Sequence, residues 1–383
     1  MKHGDIVELT SDRHDELVLF LNRAFNSPTR TTWLPPGFEI NDDKPMPGQY
    51  AILDNGRIIA SAALIPLTWR LGERTLQIAN IANVAVDPDY RSQGLMRKIL
   101  EHIVGVIGKQ KYPLSILGGL RQRYQYQGWE RSGNWATFTT HNANFKQHAA
   151  LKNLPPVTLE PVGQDAQVMA QLAQLHAAQR VRCDRPQDFF GQRIVRRGLK
   201  PLAARDETGK LVGYVLLHNS RSIRELVVDQ PLTALRIGKA LACDQPADEF
   251  EWLIESADVC VIRMFASAAE QMGMISSGNW QIFDWPEVLG SLMSFQHDNH
   301  GLAQGSVTIN IQGQQTIRLF VEGDKAGCEI VNKPCAWVVE PMALTRLLFG
   351  SQPASMVMPL PKIAAILKAW CPLPLSIPAQ DRF

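Results

Sequence analysis

Read for the spacing of its apolar positions, the N-terminal stretch shows one helix and then loses its period. From residue 11 to 25, Leu17, Phe20, Leu21 and Ala24 share a face, and Asp12, Asp15 and Glu16 fill the first turns behind Ser11 as a candidate N-cap. Residues 26–49 contain Pro28, Pro35, Pro36, Pro45 and Pro47 without periodicity and read as a long loop, a kind of segment that often borders a binding site. Strands predicted at 49–53 and 57–66 flank Asp54-Asn55-Gly56, whose tolerance of positive φ predicts a hairpin, and a third strand follows at 74–78. An apolar run at 81–87 then passes through a polar turn, 88–94, into 95–109, where Leu95, Met96, Ile99, Leu100, Ile103, Val104 and Ile107 recur at spacings of three and four. Strand, turn and amphipathic helix thus follow in order, before a short buried strand at 113–117 and a strand pair within 129–140.

The pattern begins again near residue 155. A helix at 165–179 places Val168, Leu172 and Leu175 on one face, and a hairpin at 202–217 turns through Asp206-Glu207-Thr208-Gly209-Lys210. Leu211-Val212-Gly213 after this turn echoes Ile58-Ile59-Ala60 after the first, which fits either a degenerate duplication or two unrelated hairpins. From residue 301, alternation at 307–311 and 316–321 suggests half-exposed strands, continued at 327–331 and 336–339. Helices are predicted at 340–349, closed by Gly350 as a C-cap, and at 361–370, with Pro361 in the first turn. Pro372, Pro374 and Pro378 make the last stretch an extended tail laid over something.

Composition narrows the function. At roughly 150 residues per domain, a chain of 383 residues implies two or three cores. Lys and Arg number 39 against 37 Asp and Glu, so there is no net basic field for non-specific nucleic-acid binding, although local patches remain open. The six cysteines are absent from the first 182 residues and form no C-x-x-C pair, which argues against a disulfide framework and a zinc site; no metal is expected. Asp5, Glu8, Asp12, Asp15 and Glu16 interrupt any N-terminal apolar segment, and nowhere do about 18 apolar residues run together. The expectation is a cytoplasmic protein without a membrane partner.

Chemistry concentrates in Val84-Ala85-Val86-Asp87-Pro88-Asp89-Tyr90-Arg91-Ser92-Gln93-Gly94-Leu95-Met96. A strand that turns into a helix in this way aims free backbone N–H groups and the positive end of the helix at one point, which suits a pyrophosphate. Neither a Walker loop nor G-x-G-x-x-G is present. The segment resembles the acetyl-CoA loop of the GNAT superfamily of N-acetyltransferases, with Arg91, Gly94 and the V-A-V-D-P-D-Y-R lead in place and Met96 where that family usually has Gly or Ala. The resemblance implies acetyl-CoA as co-substrate, with Val84, Ala85 and Val86 along the pantetheine arm and Arg91, Ser92, Gln93, Gly94, Leu95 and Met96 around the pyrophosphate.

Tyr124-Gln125-Tyr126-Gln127-Gly128-Trp129 looks like the Y-x-x-x-G-F/W element of the same family, in which the Tyr lies beside the CoA sulfur. A phenol with a pKa of about 10 can protonate a departing thiolate of about 8.5, so Tyr124 is the candidate general acid, with Tyr126 as the neighbour most easily confused with it. In the second region, Glu225-Leu226-Val227-Val228-Asp229 leads into Gln230-Pro231-Leu232-Thr233-Ala234-Leu235-Arg236 without a glycine before the helix, so no amide cradle is expected there. The order of marks along nearly the whole chain, ending in Asp381-Arg382-Phe383, is similar to the Eis-type (enhanced intracellular survival) acetyltransferases. That resemblance implies an α/β (α+β) fold of tandem GNAT-like domains with mixed central sheets and a C-terminal sterol-carrier-protein-like domain. Its boundaries would be 1–150 for the catalytic domain, 151–290 for a degenerate one and 291–383 for the last. The resemblance also implies that the α-carboxylate of Phe383 enters the active site as the base.

Direct transfer of acetyl to a primary amine of a small molecule or peptide, in a ternary complex, is the resulting expectation, in a protein that is a homo-oligomer. The alternative is a non-catalytic acyl-CoA sensor or lipid-binding protein, marked by an apolar cavity beneath residues 307–339. Trp33, Phe38, Glu39, Asp42 and Asp43 could line an amine cleft or form a solvated acidic loop, and His297 with His300 reads as a solvated pair in a polar linker.

Overall fold

Alternating and continuous apolar runs build three sheets in this computed structural model, which describes residues 4–27, 30, 33, 45–163, 165–244 and 247–382. The first sheet runs β1 (Ile6–Thr10), β2 (Pro45–Asp54), β3 (Arg57–Leu71), β4 (Arg74–Val86), β5 (Leu114–Leu117), then Gly278–Ile282 and β6 (Glu130–Ser132). Asn55 and Gly56 take positive φ in the hairpin between β2 and β3, as their sequence predicts. Helix α1 (His14–Phe25) follows a single tight turn, Ser11–Arg13, in which Ser11 is buried and makes no capping bond. Helix α2 (Leu95–Gln110) buries Leu95, Ile99, Leu100, Ile103 and Ile107 against the sheet and returns the chain so that β5 lies parallel to β4. The strands expected at 74–78 and 81–87 form one strand, bent by a bulge at Asn83, where Ser61 faces Ala85 but Ala63 faces Ala82.

The second sheet repeats this order. From one edge it runs Thr158–Pro161, Lys200–Arg205, Leu211–His218, Ser222–Val228 and Glu249–Glu255, then β7 (Trp135–His141) and Gln271–Ile275. Strand Ser222–Val228 is parallel to Glu249–Glu255, and helix Pro231–Asp244 connects them, as α2 connects β4 to β5. Position by position the two sheets match, which favours duplication over two unrelated hairpins.

At the place beside β5, however, the first sheet takes its strand from residues 278–282, and beside Glu249–Glu255 the second takes β7. The predicted strand pair within 129–140 is therefore split between sheets, and both exchanged strands lie across the division expected at 150. The chain crosses itself at Gly133, where a Cβ would stand 2.0 Å from Ser277 Oγ and 2.5 Å from the Leu375 carbonyl. Only glycine admits so close an approach.

The third sheet, Gly305–Ile311, Thr316–Glu322, Lys325–Ile330 and Val338–Val339, packs against helices Trp285–His300 and Pro341–Phe349. Its core is continuous with Trp69, Leu71 and Trp280 of the first sheet. Gly350 is extended rather than left-handed (φ −64°), and its need for glycine is steric, since a Cβ would meet the Arg346 carbonyl at 2.3 Å. The helix expected over 361–370 is two short turns, Lys362–Ala364 and Leu367–Trp370. His297 is not in a linker but in the last turn of Trp285–His300, where Nδ1 accepts from Leu302 N (3.0 Å) and Nε2 donates to the Gly323 carbonyl (3.1 Å). Among the described residues no helix is long and apolar enough to cross a membrane.

Candidate active site

Strand β5 stops at Leu117 while β4 continues to Val86, so beyond the Ile81–Leu117 pair one edge of β4 has no neighbour in β5. The bulge is fixed on its other side, where Ser61 Oγ donates to the Asn83 carbonyl (2.9 Å), and Asn83 Nδ2 donates to the Trp33 carbonyl (3.2 Å). Trp33 itself donates to Asn22 Oδ1 (2.8 Å) and stacks on Phe25, so it braces α1. The other residues expected with it, Phe38, Glu39, Asp42 and Asp43, lie outside the described residues.

Asp87 ends β4 and begins the turn, accepting from Asp89 N (3.0 Å) while Arg23 (3.0 Å) and Arg57 (2.8 Å) pair with its buried carboxylate. Tyr90 donates to Asp54 Oδ2 (2.8 Å), a bond that holds its phenol above the ordinary tyrosine range. Ser92 (φ 64°) and Gly94 (φ 77°) are both left-handed, and Gly94 is the N-cap of α2. A Cβ on Gly94 would meet nothing within 4 Å, so glycine is needed there for its φ and not for space. No acid sits in the first turn of α2, and the leading amides of a helix have no intrahelical acceptor. Donors and a positive dipole end therefore face the turn.

These elements enclose a cleft of about 990 Å³. Val84, Ala85, Val86, Arg91, Ser92, Gly94, Leu95 and Met96 line it; Gln93 is exposed and does not. Met96 is half-buried and also packs on the apolar cluster beneath α2. Phe25, Arg97, Arg123 and Tyr126 join the lining, and Tyr124 does not; nothing in the spacing of Phe25 or Arg123 announces this, because α1 and the turn after β5 reach the cleft only in the folded chain.

Tyr124 and Tyr126 part company. Tyr126 is 81% exposed, whereas Tyr124 is 8% exposed, and burial raises its pKa. The Tyr124 ring lies on Gly119 (φ 103°), just past β5, where a Cβ would come within 2.9 Å of the ring and 3.4 Å of the hydroxyl.

The C-terminal tail runs between the first two sheets. The Leu375 carbonyl accepts from Asn134 N (2.9 Å) and Ser277 Oγ (3.0 Å), and Trp135 Nε1 donates to the Ile377 carbonyl (3.0 Å). Asp381 is clamped by Arg185 through Nε (2.8 Å) and Nη2 (2.8 Å), and Arg185 also holds Glu225 (2.8 and 2.7 Å). Arg382 donates to the Ser277 carbonyl (2.5 Å), and its guanidinium lies 3.5 Å from the site of a Cβ on Gly118. Phe383 lies outside the described residues.

Residues 5–132 match the acetyltransferase (GNAT) domain family. No curated protein matches the chain. Among solved structures, the chain is similar to a GCN5-related N-acetyltransferase from Anabaena variabilis (17% identity, TM-score 0.69, 98% of each chain covered) and to another from Kribbella flavida (16%, 0.68, 99% of this chain and 98% of that one). It is also similar to Eis1 from Mycobacterium abscessus (15%, 0.66, 97% of this chain and 99% of that one). Likenesses at these identities establish a shared fold across nearly the whole length. The family match makes the first third of the chain a GNAT-type N-acetyltransferase domain, set in a fold of tandem mixed sheets.

Proposed function

We propose that the protein moves the acetyl group of acetyl-CoA directly to a primary amine of a small molecule or peptide, in a ternary complex, on an Eis-type architecture. In this reading residues 1–150 are catalytic, 151–290 degenerate, and 291–383 a sterol-carrier-like domain whose tail completes the site. Acetyl-CoA supplies the thioester. Backbone groups of Val84, Ala85 and Val86 on the open edge of β4 orient the pantetheine arm, and the amides of 91–96 at the start of α2 seat the pyrophosphate. Tyr124 gives its proton to the departing sulfur. The Phe383 carboxylate receives the amine's proton, which is needed because an amine of pKa about 10.4 costs roughly 4 to 5 kcal/mol to present neutral at pH 7.

One observation supports this most: the tail is clamped as far as Arg382, which reaches Gly118, the residue before the glycine that carries the Tyr124 ring. A frayed terminus would make none of these bonds. A ping-pong route has no candidate thiol in the first region, and Cys183, which pairs opposite Trp69 on β3, is fully buried with its pKa raised by that burial. The lipid-binding alternative has less support, since Val307, Ile309 and Ile311 are packed against Leu344 and Leu347.

Thiol release from acetyl-CoA across a panel of amines tests the reading. Tyr124→Phe and a chain lacking Phe383 should each lower kcat by about 10² to 10⁴-fold, and Tyr126→Phe by no more than a few-fold. Turnover that survives both of the first two changes defeats the assignment.

A further inference from the structure

A second cavity, of about 410 Å³, begins at Gly118 and is walled by Trp135, His218, Arg197, Arg224 and Arg382. Among the described residues no Asp or Glu lines it, and none of these three arginines has a carboxylate within ion-pair distance. Arg197 donates to the Arg382 carbonyl (3.0 Å) and Arg382 to the Ser277 carbonyl, while the Arg382 guanidinium stands 5.2 Å from the Trp135 ring. A guanidinium has five N–H donors, so one neutral carbonyl each leaves most of them unused. Burial, with Arg197 and Arg131 nearby, lowers the Arg382 pKa to about 10.

The same fold treats a structural arginine differently. Arg185, fully buried, has two carboxylates in forked geometry. Arg197 and Arg224 are exposed and Arg382 is half-buried, so three guanidinium groups converge on one open cavity, and such groups bind carboxylate or phosphate through paired bonds. Strands Leu211–His218 and Ser222–Val228 of the second sheet bring His218 and Arg224, so the duplicated region supplies part of this wall. Its near end is Gly118, beside the glycine on which the Tyr124 ring rests.

Building on the proposed acetyl transfer, we infer that the acceptor carries an oxyanion, carboxylate or phosphate, at a short distance from its amine, and that Arg197, Arg224 and Arg382 seat it. Amino acids, acidic peptides and phosphorylated amines have this chemistry; polyamines do not.

Matched acceptors test it with the full chain: γ-aminobutyrate against its amide, and O-phosphoethanolamine against ethanolamine, compared by kcat/KM from thiol release. The oxyanion member of at least one pair should be preferred by about tenfold or more, and Arg224→Gln should remove that preference while Arg224→Lys restores part of it. Arg197→Gln should act in the same direction. Equal or reversed preference, with turnover intact, overturns the inference and leaves acetyl transfer standing. Equal losses for both members in Arg224→Gln and Arg197→Gln also overturn it, because the arginines then serve the chain's own terminal carboxylate. Acetyl-CoA binding without thiol release for any amine refutes the acetyl-transfer reading itself, and this inference with it.

Discussion

Asp381→Asn is the sharpest test of the tail as part of the site. The carboxylate is fully buried against Arg185, which is also fully buried, and Arg193 stands 3.6 Å away. Burial by itself would lower the Arg185 pKa, but Asp381 and Glu225 more than reverse it. Tyr214 donates to Glu225 at 2.6 Å and completes the network. Two cations thus face two anions, and the substitution removes the charge that Arg185 and Arg193 share. Breaking one side of a buried pair costs about 3 to 5 kcal/mol, and the retained bidentate contact with Glu225 places this case near the lower figure. At about 1.4 kcal/mol per decade, a loss of roughly 3 kcal/mol shifts the docking equilibrium of the tail by about two orders of magnitude. The tail should therefore undock locally while the three sheets stay folded. Hydrogen exchange of the amides in 371–382 should accelerate, and kcat for acetyl transfer should fall toward that of the chain lacking Phe383. A double-mutant cycle with Arg185→Gln should show coupling of about 1 kcal/mol or more. Unchanged exchange in the tail together with full kcat would refute the reasoning.

Other consequences concern pH and the cofactor loop. Burial, with Glu225 and Asp258 close by, raises Glu255 from 4.5 to about 8. A raised carboxyl pKa means stability that is complete below about pH 4.5 and is lost as pH rises through 8, so Glu255→Gln should gain on the intact chain by roughly 1 to 3 kcal/mol between pH 6 and 9 in thermal melts; a constant gap contradicts this. Because burial raises the Tyr124 pKa, its proton is retained past the usual tyrosine value of about 10, and an alkaline limb of kcat below about pH 9 that vanishes in Tyr124→Phe would argue against its placement. Gly94→Ala meets no clash but must hold φ 77°, so it should destabilise by about 1 to 2 kcal/mol and raise KM for acetyl-CoA, and a melt and KM equal to those of the intact chain would discount the left-handed N-cap.

Much of the cleft proposed for acetyl-CoA was legible because it is local. Val84 to Met96 is one continuous strand, turn and helix, and the residue types that need positive φ or free amides stand within a few positions of one another. The hairpins were legible for the same reason, through Asn55-Gly56 and Gly209. Gln93 missed the cleft because a loop's residue types do not say which of its side chains turns inward.

Apolar periodicity records which face of a strand is buried but not which sheet will receive it. Nothing in β7 or in 278–282 marks them as exchanged; the crossing is decided by contact between Gly133 and Ser277, far apart in the chain. Arg185 meets Asp381 across 196 positions, and Arg197 meets Arg382 across 185. By itself the sequence determined a strand-turn-helix with a glycine before the helix, a candidate phenol and two repeated hairpins, since each depends on neighbouring backbone geometry. Only the tertiary structure decided the strand exchange, which of the two tyrosines is buried, the clamp on the tail and the gathering of arginines beside Gly118, because those depend on charges and surfaces brought together by long-range packing.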